Sequence, residues 1–263
     1  REDLGLGRPA HVRYLSWIGG AVQGDFGDSY FQKRPIVEIA RGRLGNSVIL
    51  AVFAFLVAVP TAVAAGIWAG VRPDTLGDRI VSVTSLVGIS LPEFVTGVLF
   101  IVIFSSMLDL LPSTSIVLPG TNPLTRPQIL VLPTLTLTGV LFGYVMRMTR
   151  ANVIEVMQTH YVRTAILKGL SMRRVIFRHV VPNAMLPTIT IIASNIGWML
   201  GGLIIVESVF AYPGLGLLVL SSIQTRDVPL LQALALLIAA TYAISNLVAD
   251  LSYAALDPRI RRA

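Results

Sequence analysis

Long stretches without any charged residue constrain this chain more than any other feature. No Asp, Glu, Lys or Arg occurs in residues 44–71, 127–146 or 180–206, which are 28, 20 and 27 positions long. A transmembrane helix needs about 20 mostly apolar residues, so each stretch is long enough to cross a bilayer. Residues 228–249 are also free of charge, and residues 80–108 form a further apolar stretch that is interrupted at Pro92-Glu93. The sequence therefore predicts an all-α membrane protein with five spanning helices.

The amino-acid composition also indicates a membrane protein, and it limits which metal sites and catalytic groups the chain could form. Hydrophobic residues make up 54% of the 263 residues and charged residues 13%, whereas soluble domains carry about 25% charged residues. The net charge of +7 lies in short segments between apolar stretches, which is typical of positive-inside topology and not of nucleic-acid binding. The chain has no cysteine and three dispersed histidines. We therefore predict no metal site, no catalytic residue and no intramembrane enzyme.

Loop charges predict the orientation. Residues 150–182 carry six basic side chains against one acid, so this segment is assigned to the cytoplasm. Alternation of the spans then makes residues 1–43 an extracytoplasmic segment. Residues 44–263 form the transmembrane domain, with its cytoplasmic loop at about 151–182. Seven basic residues within 1–43 fit this arrangement if a further spanning helix precedes them, and we expect such a helix.

Two interrupted segments are predicted to form short helices. In the basic segment, Gly169 should end one helix, because glycine favours C-terminal caps, and Ser171 is suited to cap the next. Such a hairpin would lie parallel to the membrane, although the same sequence is also compatible with a solvated loop that only fixes topology. Residues 208–225 contain Tyr212-Pro-Gly-Leu-Gly216. They are expected to form a short helix or a re-entrant element.

Several motifs together resemble one family of membrane proteins. They are Gly24-Asp-Phe-Gly27, Ser90-Leu-Pro-Glu-Phe94, Tyr161-Val-Arg-Thr-Ala-Ile-Leu-Lys-Gly-Leu170, Val206-Glu-Ser-Val-Phe210, Tyr212-Pro-Gly-Leu-Gly216 and Leu256-Asp-Pro-Arg-Ile260. As a set they resemble the permease subunits of dipeptide- and oligopeptide-type ABC importers, over nearly the whole chain. The family's Glu-Ala-Ala triplet falls on Arg163-Thr164-Ala165. The contacts of the family's glutamate therefore do not carry over to Arg163.

The resemblance implies a type I importer fold and a place in a larger complex. It implies a second permease subunit, expected to be a related chain, two ATPase subunits that bind ATP and Mg, and an extracytoplasmic substrate-binding protein. The chain is expected among the lipids of the bacterial inner membrane, with no cofactor or nucleic acid of its own. Neither Lys33 nor Lys168 lies in a G-x-x-x-x-G-K-[ST] loop. The energy for transport must then come from partner subunits.

By the same resemblance, the hairpin is the element that couples the permease to the ATPase. The predicted contact residues are Tyr161, Arg163, Thr164, Ala165, Lys168, Gly169, Leu170, Ser171, Arg173, Arg174 and Pro182. Three further polar residues are candidates for the pathway or a gate, since polar groups within spans are functional candidates: Glu93, Glu207 and Asn195. For Glu93 the alternative is a hydrogen bond to backbone groups freed by Pro92.

The alternative function is a stand-alone secondary transporter or channel. Such a protein predicts inverted repeats and charged relays within the spans, and the sequence shows neither. Within the resembling family, permeases for dipeptides, oligopeptides, nickel chelates and glutathione look alike at this level. In such importers selectivity lies mainly in the binding protein.

Overall fold

The computed structural model describes residues 9–117 and 121–256, in which the regular secondary structure is helical and no β-strand is formed. Residues 257–260 of the last motif lie outside this part of the chain. The α-helices are α1 (Ala10–Val22), α2 (Ile36–Val71), α3 (Leu76–Ser90), α4 (Glu93–Phe100), α5 (Gln128–Met157), α6 (His160–Leu167), α7 (Met172–Val175), α8 (Val181–Val209), α9 (Leu215–Gln224) and α10 (Val228–Leu256). A π-helical segment, Ile101–Met107, continues α4, and a second, Ile176–Val180, joins α7 to α8.

The predicted set of spans is confirmed, with different boundaries. Four helices are long and apolar enough to cross a membrane. A fifth span results if α3 is counted together with α4 and the π-helical segment that follows it, a pair bent by 109° at its break. α2 starts at Ile36 and α5 continues to Met157, so the boundary proposed between residues 43 and 44 falls inside a helix. The absence of charge marks what lipid tolerates, whereas a helix ends only where its backbone hydrogen bonding is interrupted.

A proline produces the bend between α3 and α4. Leu91, which precedes Pro92, is extended with φ −86° and ψ 129°, as expected for a residue before proline. Pro92 occupies the N-cap position of α4 and has no N–H with which to continue α3. The predicted interruption at Pro92-Glu93 is therefore confirmed.

α5 lies at the centre of the bundle and contacts α2, α3, α4 and α8. Its contact with α2 is close because α2 presents small residues. A Cβ atom added to Gly66 would lie 2.6 Å from Thr149 Cβ and 2.7 Å from the Met146 carbonyl oxygen. Ala54, Ala58 and Ala62 continue the same buried face. Small residues let membrane helices approach closely enough for extensive van der Waals contact.

Two smaller apolar clusters identify the ends of the bundle. At the hairpin end, α6 and α7 pack on α5 and α8 through Val153, Val162, Ala165, Val175, Val180 and Ala184. At the opposite end, called the α9 end below, α2 packs on α9 and α10 through Ile36, Ala40, Leu215, Leu218, Leu230, Ala233 and Leu234. α9 is the short helix predicted within residues 208–225.

Candidate coupling surface and buried polar groups

The hairpin is built around Gly169. α6 ends at Leu167, and Gly169 has φ +78° while its N–H donates to the Ile166 carbonyl at 2.9 Å. This left-handed conformation is open to glycine without the steric cost that a side chain adds. The predicted break is confirmed. Ser171 does occupy the N-cap position of α7, but its side chain accepts no capping hydrogen bond.

The inner face of the hairpin anchors it to the bundle. Val162 and Val175 are fully buried, and Ala165 is 6% exposed. They pack against Val153 of α5 and Ala184 of α8. Two of the predicted contact residues, Ala165 and Leu170, belong to this inner cluster. They stabilise the hairpin from within, because one side of each short helix must cover the bundle.

The outer face of the hairpin is both basic and apolar. Residues 158–180 contain five Lys and Arg residues and no acid. The predicted contact residues on this exposed surface are Tyr161, Arg163, Thr164, Lys168, Gly169, Ser171, Arg173, Arg174 and Pro182. Four large apolar side chains outside the predicted set lie there too: Ile166 (41% exposed), Leu167 (80%), Met172 (49%) and Phe177 (64%). Exposed apolar residues surrounded by polar ones typically mark an interaction surface.

A buried ion pair lies next to the hairpin end. The Arg150 guanidinium of α5 donates from Nε to Asp78 Oδ1 at 2.5 Å and from Nη2 to Asp78 Oδ2 at 2.7 Å. Asp78, in the first turn of α3, is 2% exposed and also accepts hydrogen bonds from the Asp74 N–H and Ser82 Oγ. Sequence reasoning missed this pair, since no local pattern links two residues 72 positions apart.

Glu93 lies where α4 meets α8. Glu93 is 9% exposed. Its carboxylate lies so close to Gly202 that a Cβ atom added to Gly202 would clash with the carboxylate oxygens. Among the described residues, no donor forms a hydrogen bond to this carboxylate. The alternative of a bond to backbone groups freed by Pro92 is therefore not observed. Instead the Pro92 carbonyl accepts from Val95 and Thr96.

Glu207 is fully buried and joins three helices. Its carboxylate accepts hydrogen bonds from Ser47 Oγ of α2 at 2.5 Å and from the Gly216 N–H of α9 at 2.6 Å. A Cβ atom at Gly214 would collide with this carboxylate, and the Tyr212 hydroxyl donates to the Asn46 carbonyl at 2.8 Å. The motif from Tyr212 to Gly216 thus forms a tight turn over a buried carboxylate.

Asn195 is occupied within its own helix, since its Nδ2 donates to the Ile191 carbonyl at 2.8 Å. Among the described residues, no hydrogen bond or ion pair joins Asn195, Glu93 and Glu207 to one another, and no group of three His, Asp or Glu side chains could hold a metal ion. The three pathway candidates therefore have separate surroundings and do not share one polar site.

At the α9 end, Asp227 holds the loop that precedes α2. The residue is 1% exposed. Its carboxylate accepts from Ser29 Oγ at 2.5 Å and from the N–H groups of Tyr30 at 3.1 Å, Phe31 at 3.0 Å and Leu230 at 3.3 Å. Burial raises the pKa of a carboxyl group, but these hydrogen bonds outweigh burial and lower the pKa of Asp227.

The helical bundle, its broken span and its exposed basic hairpin define a multispan membrane protein. The model of the family described as binding-protein-dependent transport system inner membrane component matches residues 62–262. A protein of Brucella ovis named as a peptide permease is 39% identical, covering 99% of this chain and 83% of that protein. The glutathione transport system permease protein GsiC of Escherichia coli K12 is 38% identical, with the same coverage.

A solved structure shares the fold. The crystal structure of an amino acid ABC transporter with histidines matches with a TM-score of 0.61 at 15% identity, covering 86% of this chain and 94% of that one. The chain therefore belongs to the family of binding-protein-dependent transport system inner membrane components. It is a non-catalytic permease subunit of an ABC importer with a type I importer fold. The alternative of a stand-alone transporter or channel is not supported.

Proposed function

We propose that this chain forms half of the translocation pathway of an importer for peptides or peptide-like solutes such as glutathione, in a bacterial inner membrane. Relatives at 38–39% identity carry the names of a peptide permease and a glutathione permease. The proposed complex contains a second, related permease subunit, two ATPase subunits that bind ATP and Mg, and an extracytoplasmic binding protein. The hairpin end faces the cytoplasm and the α9 end faces outside.

The hairpin has one face packed against the bundle and one face exposed, and this arrangement supports a role in coupling. Its inner face is packed against α5 and α8, while its outer face exposes Leu167, Phe177 and five basic side chains. A partner that pushes on the outer face would move the hairpin with the helices to which it is packed, as a rigid body. An ATPase surface with an apolar pocket and acidic rim would complement this face in shape and charge.

The remaining segments have proposed roles that follow from this orientation. The surface that faces the binding protein is formed by three segments, the described parts of residues 1–43, 109–126 and 207–227. The hydrogen bonds from Ser29 Oγ to Asp227 and from the Ser115 N–H to the Phe210 carbonyl, at 2.7 Å, tie parts of all three segments to one another. Glu93 and Asn195 are proposed to border the pathway, and Glu207 to act as the joint of an outer gate formed by α9.

The coupling role is tested by the ratio of solute uptake to ATP hydrolysis in proteoliposomes. Gly169→Leu places a side chain at φ +78° and should lower this ratio strongly while the protein remains inserted. Gly139→Ala is the matched control, because its added Cβ atom meets nothing within 4 Å. Normal uptake by Gly169→Leu would contradict the coupling role.

The outer face is tested without any change in the backbone. Leu167→Ala and Phe177→Ala remove exposed apolar surface and should reduce copurification of the ATPase subunits. Leu110→Ala, at the opposite end of the bundle and 68% exposed, should not. Equal recovery of ATPase with all three variants would exclude this face as the docking surface.

A further inference from the structure

The outward faces of the spanning helices differ in polarity. On α2 the exposed side chains in the span include Val48, Val52 and Leu56, and on α10 they include Ile244 and Leu247. Apolar faces of this kind are compatible with contact to the hydrocarbon core of the bilayer. A different surface is found where α5 and α8 lie side by side.

On α8 the exposed face is interrupted by polar residues. Asn183, Thr190, Ser194 and the aromatic Trp198 recur at intervals of four or seven positions, so they lie along one side of the helix. Thr190 is half-buried and the other three are exposed. The hydroxyl of Ser194 donates to the Thr190 carbonyl at 3.0 Å, which leaves its oxygen able to accept a further bond. Trp198 is 50% exposed at the middle of the span, too deep for an anchor at the membrane interface.

On α5 the matching face carries an aromatic and a charged residue. Tyr144 is 44% exposed, and Arg147, three positions on, is exposed on the same side. The Tyr144 and Trp198 rings meet edge to face with centroids 6.1 Å apart, which joins the two helix faces. We call Tyr144, Arg147 and Trp198 the aromatic–arginine patch.

Arg147 differs from its neighbour Arg150. Arg150 is paired with Asp78, whereas no carboxylate of the described residues lies within 4.0 Å of the Arg147 guanidinium. Arg147 directly follows a charge-free stretch of 20 residues. A charged side chain at such a position in a spanning helix either reaches to the lipid headgroups or faces a water-filled space. The polar face of α8 beside it favours the water-filled space.

We propose that the aromatic–arginine patch lines the aqueous route through the importer and that Arg147 receives a carboxylate of the passing solute. The guanidinium of arginine matches the two oxygens of a carboxylate with parallel hydrogen bonds. Tyr144 and Trp198 offer rigid amphipathic surface to the rest of the solute. The assignment of the carboxylate rests on the proposed function, since peptides and glutathione both carry this group.

The aqueous route is tested by cysteine labelling, for which this cysteine-free chain is well suited. Tyr144→Cys and Ser194→Cys, in the assembled transporter in nanodiscs, should react with sulfonatoethyl methanethiosulfonate at least about tenfold faster than Val52→Cys, because the reactive thiolate forms in water and not in lipid. Equal and slow reaction at all three positions would overturn the proposal.

The carboxylate site is tested by comparing the uptake of trialanine, which has a free carboxylate, with the uptake of trialanine amide, which has none. Glutathione uptake is measured in parallel. The binding protein is the same in every sample, so its own preference cancels when variants are compared. Arg147→Gln should lower the wild-type preference for the free acid about tenfold, and Arg147→Lys should restore only part of it. Arg79→Gln, which removes an exposed arginine of α3, is the control and should keep the wild-type preference.

The outcomes separate the two proposals. If wild-type transporter takes up trialanine but Arg147→Gln keeps the same preference, the role of Arg147 is overturned and the proposed function stands. If wild-type transporter takes up neither trialanine nor glutathione, the peptide class is refuted and the carboxylate assignment falls with it.

Discussion

The buried pair between Asp78 and Arg150 should stabilise the hairpin end of the bundle. The Asp78 side chain is 3% exposed and the Arg150 side chain 28% exposed. Removing one partner of a buried pair costs about 3–5 kcal/mol, and because Arg150 keeps some contact with water we expect Asp78→Asn to lower the free energy of unfolding by about 2–3 kcal/mol. The amide keeps the shape of the carboxylate, so the loss reports the charge.

A double-mutant cycle isolates the pair. Asp78→Asn, Arg150→Gln and the double variant are titrated with SDS in mixed micelles, and unfolding is followed by far-UV circular dichroism. We expect a coupling energy of about 1–2 kcal/mol. Asp74→Asn is the control, because Asp74 is exposed and asparagine tolerates its positive φ; its effect should stay within about 0.5 kcal/mol. A coupling energy below about 0.5 kcal/mol would contradict a stabilising role for the pair, since Asp78 and Arg150 would then behave as a solvent-screened surface contact.

Two further predictions concern the packing of the core and the α9 end. Gly66→Ala should destabilise the same SDS transition by about 1–3 kcal/mol, because its Cβ atom would meet α5 at 2.6 Å, whereas Gly139→Ala should not; equal midpoints would contradict the close packing. Asp227→Asn should speed hydrogen exchange at the Tyr30 and Phe31 amides, which donate to this carboxylate, and unchanged exchange would show that Asp227 does not hold the loop before α2. The pKa of Asp227 is lowered by folding, so its stabilising contribution is complete above the unfolded pKa of about 3.9 and is lost as the pH falls through the folded value. Exchange in wild type, corrected for the intrinsic rate, should therefore rise only in the acid range.

The spans and the breaks could be predicted because their causes are local. A stretch without charge is compatible with lipid wherever it lies in the fold, Pro92 cannot continue α3, and Gly169 can adopt φ +78°. The boundaries were less accurate, since α2 and α5 extend beyond their charge-free parts. Loss of compatibility with lipid does not end a helix.

The candidate site was predicted in outline. The hairpin was identified, but the division between its two faces was not, so Ala165 and Leu170 were assigned to the contact surface although they belong to the inner cluster. The exposed side chain of Phe177 was missed. Helical periodicity would have placed inner and outer residues on opposite sides, yet which side faces the bundle depends on how the hairpin docks.

The order of residues along the chain was enough to predict that it crosses a membrane, where its helices are interrupted, and to which family it belongs. The packing of the helices was needed to find that Asp78 pairs with Arg150, that Ser47 donates to the buried Glu207, and that the Tyr144 and Trp198 rings meet. The difference lies in the range of the interactions. Transfer into lipid and backbone conformation depend on neighbouring residues, whereas ion pairs and hydrogen bonds between helices depend on distances that exist only after the helices have packed.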